Sequence, residues 1–357
     1  MPYFSFIVED HVLLKSIKDF GFFELEIKYY SKDTKLWSFL NKKQNKNFKI
    51  QLKKEQRLKA KKGAETILFC LPPSLGLGDT IEYGLAIKSI IKNKIFKRIG
   101  IAYVGKFNQI FKKLFNIENV YDYITEKELK NFDTSFHFTL EIDELIYQKY
   151  NRQNIEKLIT DFFNVPLYRK KIIKKNLKSE IKKISIFPLS NSPLRTLPLF
   201  LINFLIEELI VKYQIEIYLD KSKLSNYIFE NIKFKKNLKF YFPKNFGLLI
   251  NKIKKIQFGI FPDSGPLHVA KILNKKGILF ISSVKAEILL DNFKTIKAIE
   301  SNYISSYCHG PCGLVNAFEF KNKSGCYDSL NIKKGQILKS NNLNKLQRGN
   351  LMDNYLD

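Results

Sequence analysis

Asp263-Ser264-Gly265-Pro266-Leu267-His268 brings a carboxylate, a hydroxyl, a flexible glycine and an imidazole into one short run. Apolar stretches lie on both sides. Ile256 to Phe261 and Gly277 to Ser282 read as strands, and Pro266 to Leu273 between them reads as a helix with Pro266 at its first position. The polar residues therefore fall where a strand ends and a helix begins. Parallel sheets bind ligands at that edge, and free amides at a helix start favour a phosphate. His268 lies within about one turn of the same ligand. The same sequence also suits a plain helix cap, with His268 as a core histidine.

Two further runs carry polar groups in the same kind of position. Leu75-Gly76-Leu77-Gly78-Asp79 follows the apolar strand Thr66 to Leu71. Gly76 and Gly78 allow a tight turn close to a ligand, and Asp79 sits where a helix over Thr80 to Lys92 would start. Asp79 suits either an N-cap or a general base, and Glu82 is a second candidate base one turn on. Ser190-Asn191-Ser192-Pro193-Leu194-Arg195 follows the strand Ile184 to Phe187. Ser190 or Ser192 offers hydroxyl donors. Arg195 offers a guanidinium fork suited to a diphosphate, or is simply a surface cation beside a capped helix.

The Asp263–His268 segment resembles the heptosyltransferases of glycosyltransferase family 9, in which Asp-Ser/Thr-Gly-x-x-His holds a nucleotide sugar. The resemblance extends in layout over roughly residues 65 to 330. It implies a GT-B architecture, with two Rossmann-like domains facing a cleft. It also implies that Asp79, of the Gly78-Asp79 pair, deprotonates the acceptor hydroxyl. Gly78, Ser190, Arg195, Asp263, Ser264, Gly265 and His268 would hold the nucleotide sugar. The pattern departs from the family at two places. Gly84 stands near a usual proline, which puts the acceptor side in question, and Leu197 replaces a usual Trp before Pro198.

These residues need elements to carry them. Strand-like and helix-like runs alternate along the chain, which predicts an α/β fold. The 357 residues suit two domains rather than one core. Residues 1–62 read as an extension, strongly basic from Asn41 to Lys62. Residues 63–178 form the predicted acceptor domain and 179–357 the nucleotide-sugar domain with a polar tail. The basic run Arg169 to Lys183 is the expected linker. Within the first domain, strands are expected at Ile99 to Val104, Tyr121 to Ile124 and Thr134 to Leu140, and helices at Asn108 to Phe115 and Tyr147 to Phe163. In the second, Leu197 to Lys212 reads as a helix and Ile215 to Leu219 as a strand.

The formal charge of +27 fits negative partners or simply a Lys-rich surface. No zinc finger, RNA-binding motif or DNA-reading helix accompanies it, so specific nucleic-acid binding is not expected. The partners expected are a nucleotide-diphosphate sugar, a glycan or glycolipid acceptor and an anionic inner-membrane surface. The amino end lacks a signal-peptide pattern and no run is long enough to span a bilayer, so the expected location is cytoplasmic, peripheral to that membrane. Cys70 reads as a packed strand residue. Cys308, Cys312 and Cys326, with His309, fit packed thiols better than a zinc site because their spacing is irregular. No cofactor is expected. The resulting expectation is an inverting, metal-independent transferase moving a sugar, heptose included, to a lipopolysaccharide-type or other cell-surface glycan. The alternative is a non-catalytic protein of the same shape that binds a polyanion.

Overall fold

The computed structural model describes residues 63–71, 75–103, 105–121, 128, 130–138, 154–168, 180–282, 284–291 and 293–300. The predicted extension 1–62, most of the linker, Val104, the strand over 122–124 and the tail lie outside them, as do Cys308, Cys312 and Cys326. The chain divides into two compact units, Met1–Arg169 and Lys170–Asp357. Both are built on sheets in which every described pairing is parallel.

The first unit runs β1 (Thr66–Cys70), α1 (Leu77–Lys92), β2 (Arg98–Ala102), α2 (Gln109–Phe115), β3 (Val120–Tyr121), β4 (Thr134–His137) and α3 (Ile155–Phe162). The strand order is β3-β2-β1-β4, so the chain reverses direction across the sheet between β1 and β4. β1 is buried on both faces, which is why it reads as a continuous apolar run. Phe69 lies at ring-centroid distances of 6.0, 5.4 and 5.7 Å from Phe136, Phe138 and Phe163, giving this unit an aromatic core.

The second unit runs β5 (Lys183–Ile186), a 3-10 turn (Pro193–Arg195), α4 (Leu199–Leu209), β6 (Gln214–Tyr218), α5 (Lys223–Asn231), a second 3-10 turn (Lys235–Asn237) and β7 (Lys239–Tyr241). It continues with α6 (Phe246–Ile253), β8 (Phe258–Pro262), α7 (Gly265–Ile272), β9 (Lys276–Phe280), α8 (Ala286–Leu290) and β10 (Ile296–Ile299). The order β10-β9-β8-β5-β6-β7 is that of a complete Rossmann sheet. Its reversal point lies between β5 and β8. Gln257 fixes that pairing, because its side-chain oxygen accepts from the amides of both Lys182 and Lys183 at 2.9 Å.

The two faces of this sheet are packed differently. One carries Ile184, Ile186, Ile215, Ile217 and Ile260 against apolar side chains of α4 and α5. The rings of Phe261, Phe187, Tyr218 and Tyr241 stack across β8, β5, β6 and β7, with successive centroids 5.2, 4.4 and 5.0 Å apart. Phe261 lies over Gly259 and Gly277, which face each other in register on β8 and β9. A methyl group on Gly259 would strike the Phe261 ring. One on Gly277 would strike the carbonyl of Gly259.

Several element boundaries differ from expectation. α1 starts at Leu77 rather than Thr80, because Asp79 at the third helical position accepts from the Gly76 amide and closes the first turn. α4 starts at Leu199 rather than Leu197. Leu197 instead precedes Pro198, which disfavours helix for it, and its amide donates to Pro188 O at 2.9 Å. β8 runs two residues later at its start than expected and ends on Pro262, while Gly265 rather than Pro266 opens α7.

Candidate functional site

The β5 and β8 strands deliver two loops to the reversal point of the second sheet. The loop after β5 is folded by Thr196, which is buried. Its hydroxyl accepts from the Ser190 amide at 3.1 Å and donates to Ser192 O at 3.2 Å. This compact turn ends in the 3-10 segment that projects Arg195. The loop after β8 is only Asp263 and Ser264 before α7 begins. The two loops are tied together, since Ser190 Oγ donates to Asp263 O at 2.9 Å.

Asp263 is the centre of the arrangement. Its side chain is 6% exposed, and Arg195 Nη1 donates to its Oδ2 at 3.0 Å. His268 Nε2 lies 3.9 Å from its Oδ1. Burial alone would push this carboxyl up. The neighbouring His268 imidazole and the positive charge of Arg195 outweigh it, holding Asp263 below the ordinary carboxylate value. On the far side of the imidazole, His268 Nδ1 is 3.4 Å from Nζ of Lys271, a lysine only 1% exposed. A lysine ammonium can only donate, so Nδ1 accepts and the ring proton sits on Nε2, facing Asp263. Arg195, Asp263, His268 and Lys271 thus form one continuous polar chain, held on the 3-10 turn, the β8 end and α7.

Two groups here lack partners among the described residues. Arg195 Nε and Ser264 Oγ are both buried without a hydrogen-bond partner. Ser264 is the N-cap of α7, yet its hydroxyl caps nothing. Pro266 removes one donor from the first turn, leaving the amides of Gly265 and Leu267 with Ser264 Oγ and the remaining guanidinium nitrogens as donors. That set suits an anion with several oxygens.

Three residues that the sequence did not single out belong to the same edge. Ser282 follows β9, is buried, and its hydroxyl has no partner among the described residues. Asp220 follows β6, where Rossmann sheets hold ribose hydroxyls, and its Oδ1 accepts from the Ser222 amide at 2.8 Å. Lys271 is the third. For Asp220 a signal was present, an acidic residue just past the second strand of the unit.

In the first unit, Gly76 to Asp79 lie past the carboxyl end of β1, beside the reversal between β1 and β4. Asp79 is exposed. Its Oδ2 accepts from the Gly76 amide at 3.2 Å, and its other oxygen has no partner among the described residues. A side chain at Gly76 would crowd that carboxylate, with Cβ 2.9 Å from Oδ2. Gly78 forms part of the same first turn. Beneath it, Thr80 Oγ1 donates to Gly76 O at 2.8 Å and lies 3.4 Å from the hydroxyl of fully buried Tyr103. Burial pushes the Tyr103 phenol up; the hydrogen bond with Thr80 opposes this and the Asp79 charge adds to it. Glu82 is buried in α1.

Both departures from the family pattern are packing positions. Gly84 presses against the Phe115 ring of α2, and a methyl group there would collide with it. Leu197 is fully buried in the core of the second unit. Among the described residues no cluster of His, Cys, Asp and Glu could hold a metal ion, and no helix is long and apolar enough to cross a membrane.

No protein-family model and no curated protein matches this chain. Solved structures do match. The glycosyl transferase family 9 protein from Veillonella parvula is similar at 11% identity and a TM-score of 0.49, over 66% of this chain and 86% of that one. The ADP-heptose lipopolysaccharide heptosyltransferase II of E. coli is similar at 14% identity and a TM-score of 0.49, over 66% and 90%. E. coli heptosyltransferase WaaC, solved with ADP-2-deoxy-2-fluoro heptose, is similar at 9% identity and a TM-score of 0.45, over 66% and 93%.

Proposed function

We propose that this protein is a glycosyltransferase that moves a sugar from a nucleoside-diphosphate donor to a hydroxyl of a cell-surface glycan or glycolipid precursor. The observation that carries the proposal is the donor-rich edge at the β5–β8 reversal, where Arg195 Nε and Ser264 Oγ are buried without partners. Asp263 does not itself bind phosphate in this reading, since a carboxylate repels it. Asp263 orients Arg195 and His268. Arg195, Ser264 Oγ and the first amides of α7 then take the diphosphate and stabilise the charge that grows on it as the sugar leaves. Asp220 takes ribose hydroxyls.

Asp79 serves as the base for the incoming hydroxyl, through the carboxylate oxygen not held by Gly76. A base acting opposite the leaving group inverts the anomeric carbon. Protein cations stabilise the leaving group, so no divalent metal is needed. We propose further that the reaction runs in the cytoplasm at the inner face of the membrane, on a lipopolysaccharide-type acceptor, with heptose among the candidate sugars.

The test combines thermal shift with a panel of nucleoside diphosphates and mass spectrometry of products from a mixed nucleotide-sugar panel. A stabilising shift that disappears in Arg195→Ala, with a glycosylated product, supports the reading. A shift produced only by polyanions and insensitive to Arg195 would replace it with a non-catalytic binder.

A further inference from the structure

Four phenylalanines are exposed among the described residues, Phe204, Phe229, Phe234 and Phe242; Phe204 lies on α4, and the others lie between α5 and the residue just past β7. Phe229, Phe234 and Phe242 are 37%, 47% and 41% exposed. Phe229 sits 4.9 Å from Phe240 and 5.8 Å from Phe242, so the rings form a shared apolar surface. Asn203, beside Phe204 on α4, accepts from the Lys233 amide at 2.9 Å and ties that helix to the same run. Phe234 has φ +58, a left-handed conformation that a bulky side chain adopts at a cost. The backbone is therefore strained at the place where a large apolar ring faces outward.

The same stretch is also one-sidedly charged. From 221 to 244 it carries seven lysines against one acidic residue, Glu230. Lys233, Lys236, Lys239 and Lys244 are exposed, and Lys235 Nζ lies 5.0 Å from the Phe229 ring centroid. Aromatic rings set among lysines fit a bilayer with anionic headgroups. The rings enter the acyl boundary and the ammonium groups meet the phosphates.

We infer that the α5–β7 edge is a docking surface for an anionic lipid bilayer. It is formed by elements other than the loops after β5 and β8, so it stands whether or not the chain transfers a sugar.

The full chain is cosedimented with phosphatidylcholine vesicles and with vesicles that also contain phosphatidylglycerol. Binding is expected only to the second, weakening with salt. Each lysine near the surface contributes about a fivefold gain, so losing three of them weakens binding about a hundredfold, and reversing Lys233, Lys236 and Lys239 to Glu should weaken it by more than that. Phe234→Ser with Phe242→Ser should weaken it about tenfold while leaving heparin binding unchanged. Unchanged melting midpoints show that these exposed changes spare the fold. A second arm removes nothing from the surface. Phe234→Trp in a Trp37→Phe background should give fluorescence quenched by brominated lipid. The proposal is overturned if vesicle binding survives both sets of variants, if the lysine reversals abolish heparin and vesicle binding alike while the phenylalanine pair has no effect, or if the new Trp is not quenched.

Discussion

Arg195 and Asp263, 68 residues apart in sequence, are joined by a hydrogen bond of 3.0 Å between Nη1 and Oδ2. One lies on a loop after β5 and the other at the end of β8, so the pair locks the two sides of the reversal point. Asp263→Ala leaves Arg195 and His268 facing an emptied buried site. Its expected cost is about 3 kcal/mol, read by urea unfolding. It should also remove the thermal shift given by nucleoside diphosphates. A variant as stable as wild type would show that the pair does not organise these loops.

The same pair sets an acid limit. The Asp263 carboxyl is held below its ordinary value of 3.8, so the ionised form is favoured by folding. That stabilisation is full above the unfolded value and is lost as pH falls through the folded one. The stability gap between wild type and Asp263→Asn is therefore expected to be constant near neutrality and to close below about pH 4. Chemical denaturation over a pH series measures it. A gap that widened toward acid would reverse the assignment.

Much of this site was readable from local pattern. The Asp263 segment declares itself because a strand, two polar residues and a Pro-bearing helix start follow one another, and their backbone roles depend only on neighbours. Arg195 was readable as a cation near a phosphate edge. Its pairing with Asp263 was not, because it depends on how two distant loops meet. Lys271 was hidden for a different reason. In a chain with 61 lysines and arginines, one more lysine on a short helix carries no signal, and only burial sets it apart. Gly84 looked like a change on the acceptor side. The structure shows that it is also where α1 meets Phe115 of α2.

The imidazole of His268 offers a direct spectroscopic check. With Lys271 donating to Nδ1, the proton is expected on Nε2 in the free protein, visible in long-range nitrogen–proton spectra of the ring. Lys271→Met keeps the bulk of the side chain and removes the donor. It is expected to release the preference between the two ring nitrogens while nucleotide binding falls only in part. An Nδ1-protonated ring in wild type would contradict the chain of contacts.

The first-turn contact of Asp79 with the Gly76 amide and its proposed role as base are separable. Asparagine can still accept from the Gly76 amide but cannot take a proton. Asp79→Asn is therefore expected to unfold within about 0.5 kcal/mol of wild type, whereas Asp79→Ala should lose about 1 kcal/mol of first-turn stability. Both should lower transfer by about 100-fold or more, without weakening nucleotide binding. Normal turnover by Asp79→Asn would remove it as the base.

Gly84→Ala tests the contact between α1 and α2. Alanine favours a helix, yet its methyl group must displace the Phe115 ring. A net loss of about 1–3 kcal/mol is expected in thermal or urea unfolding, and Phe115→Leu should recover part of it in the double variant. Additive losses would mean that the two side chains do not meet.

The facing glycines of β8 and β9 make an evolutionary statement. Because Phe261 spans both Gly259 and Gly277, none of these three positions is at liberty to drift by itself. Among orthologues, a bulkier residue at 259 or 277 should come with a slimmer one at 261. Substitutions should then spread to the partners of Phe187, whose stacking depends on where that first ring comes to rest.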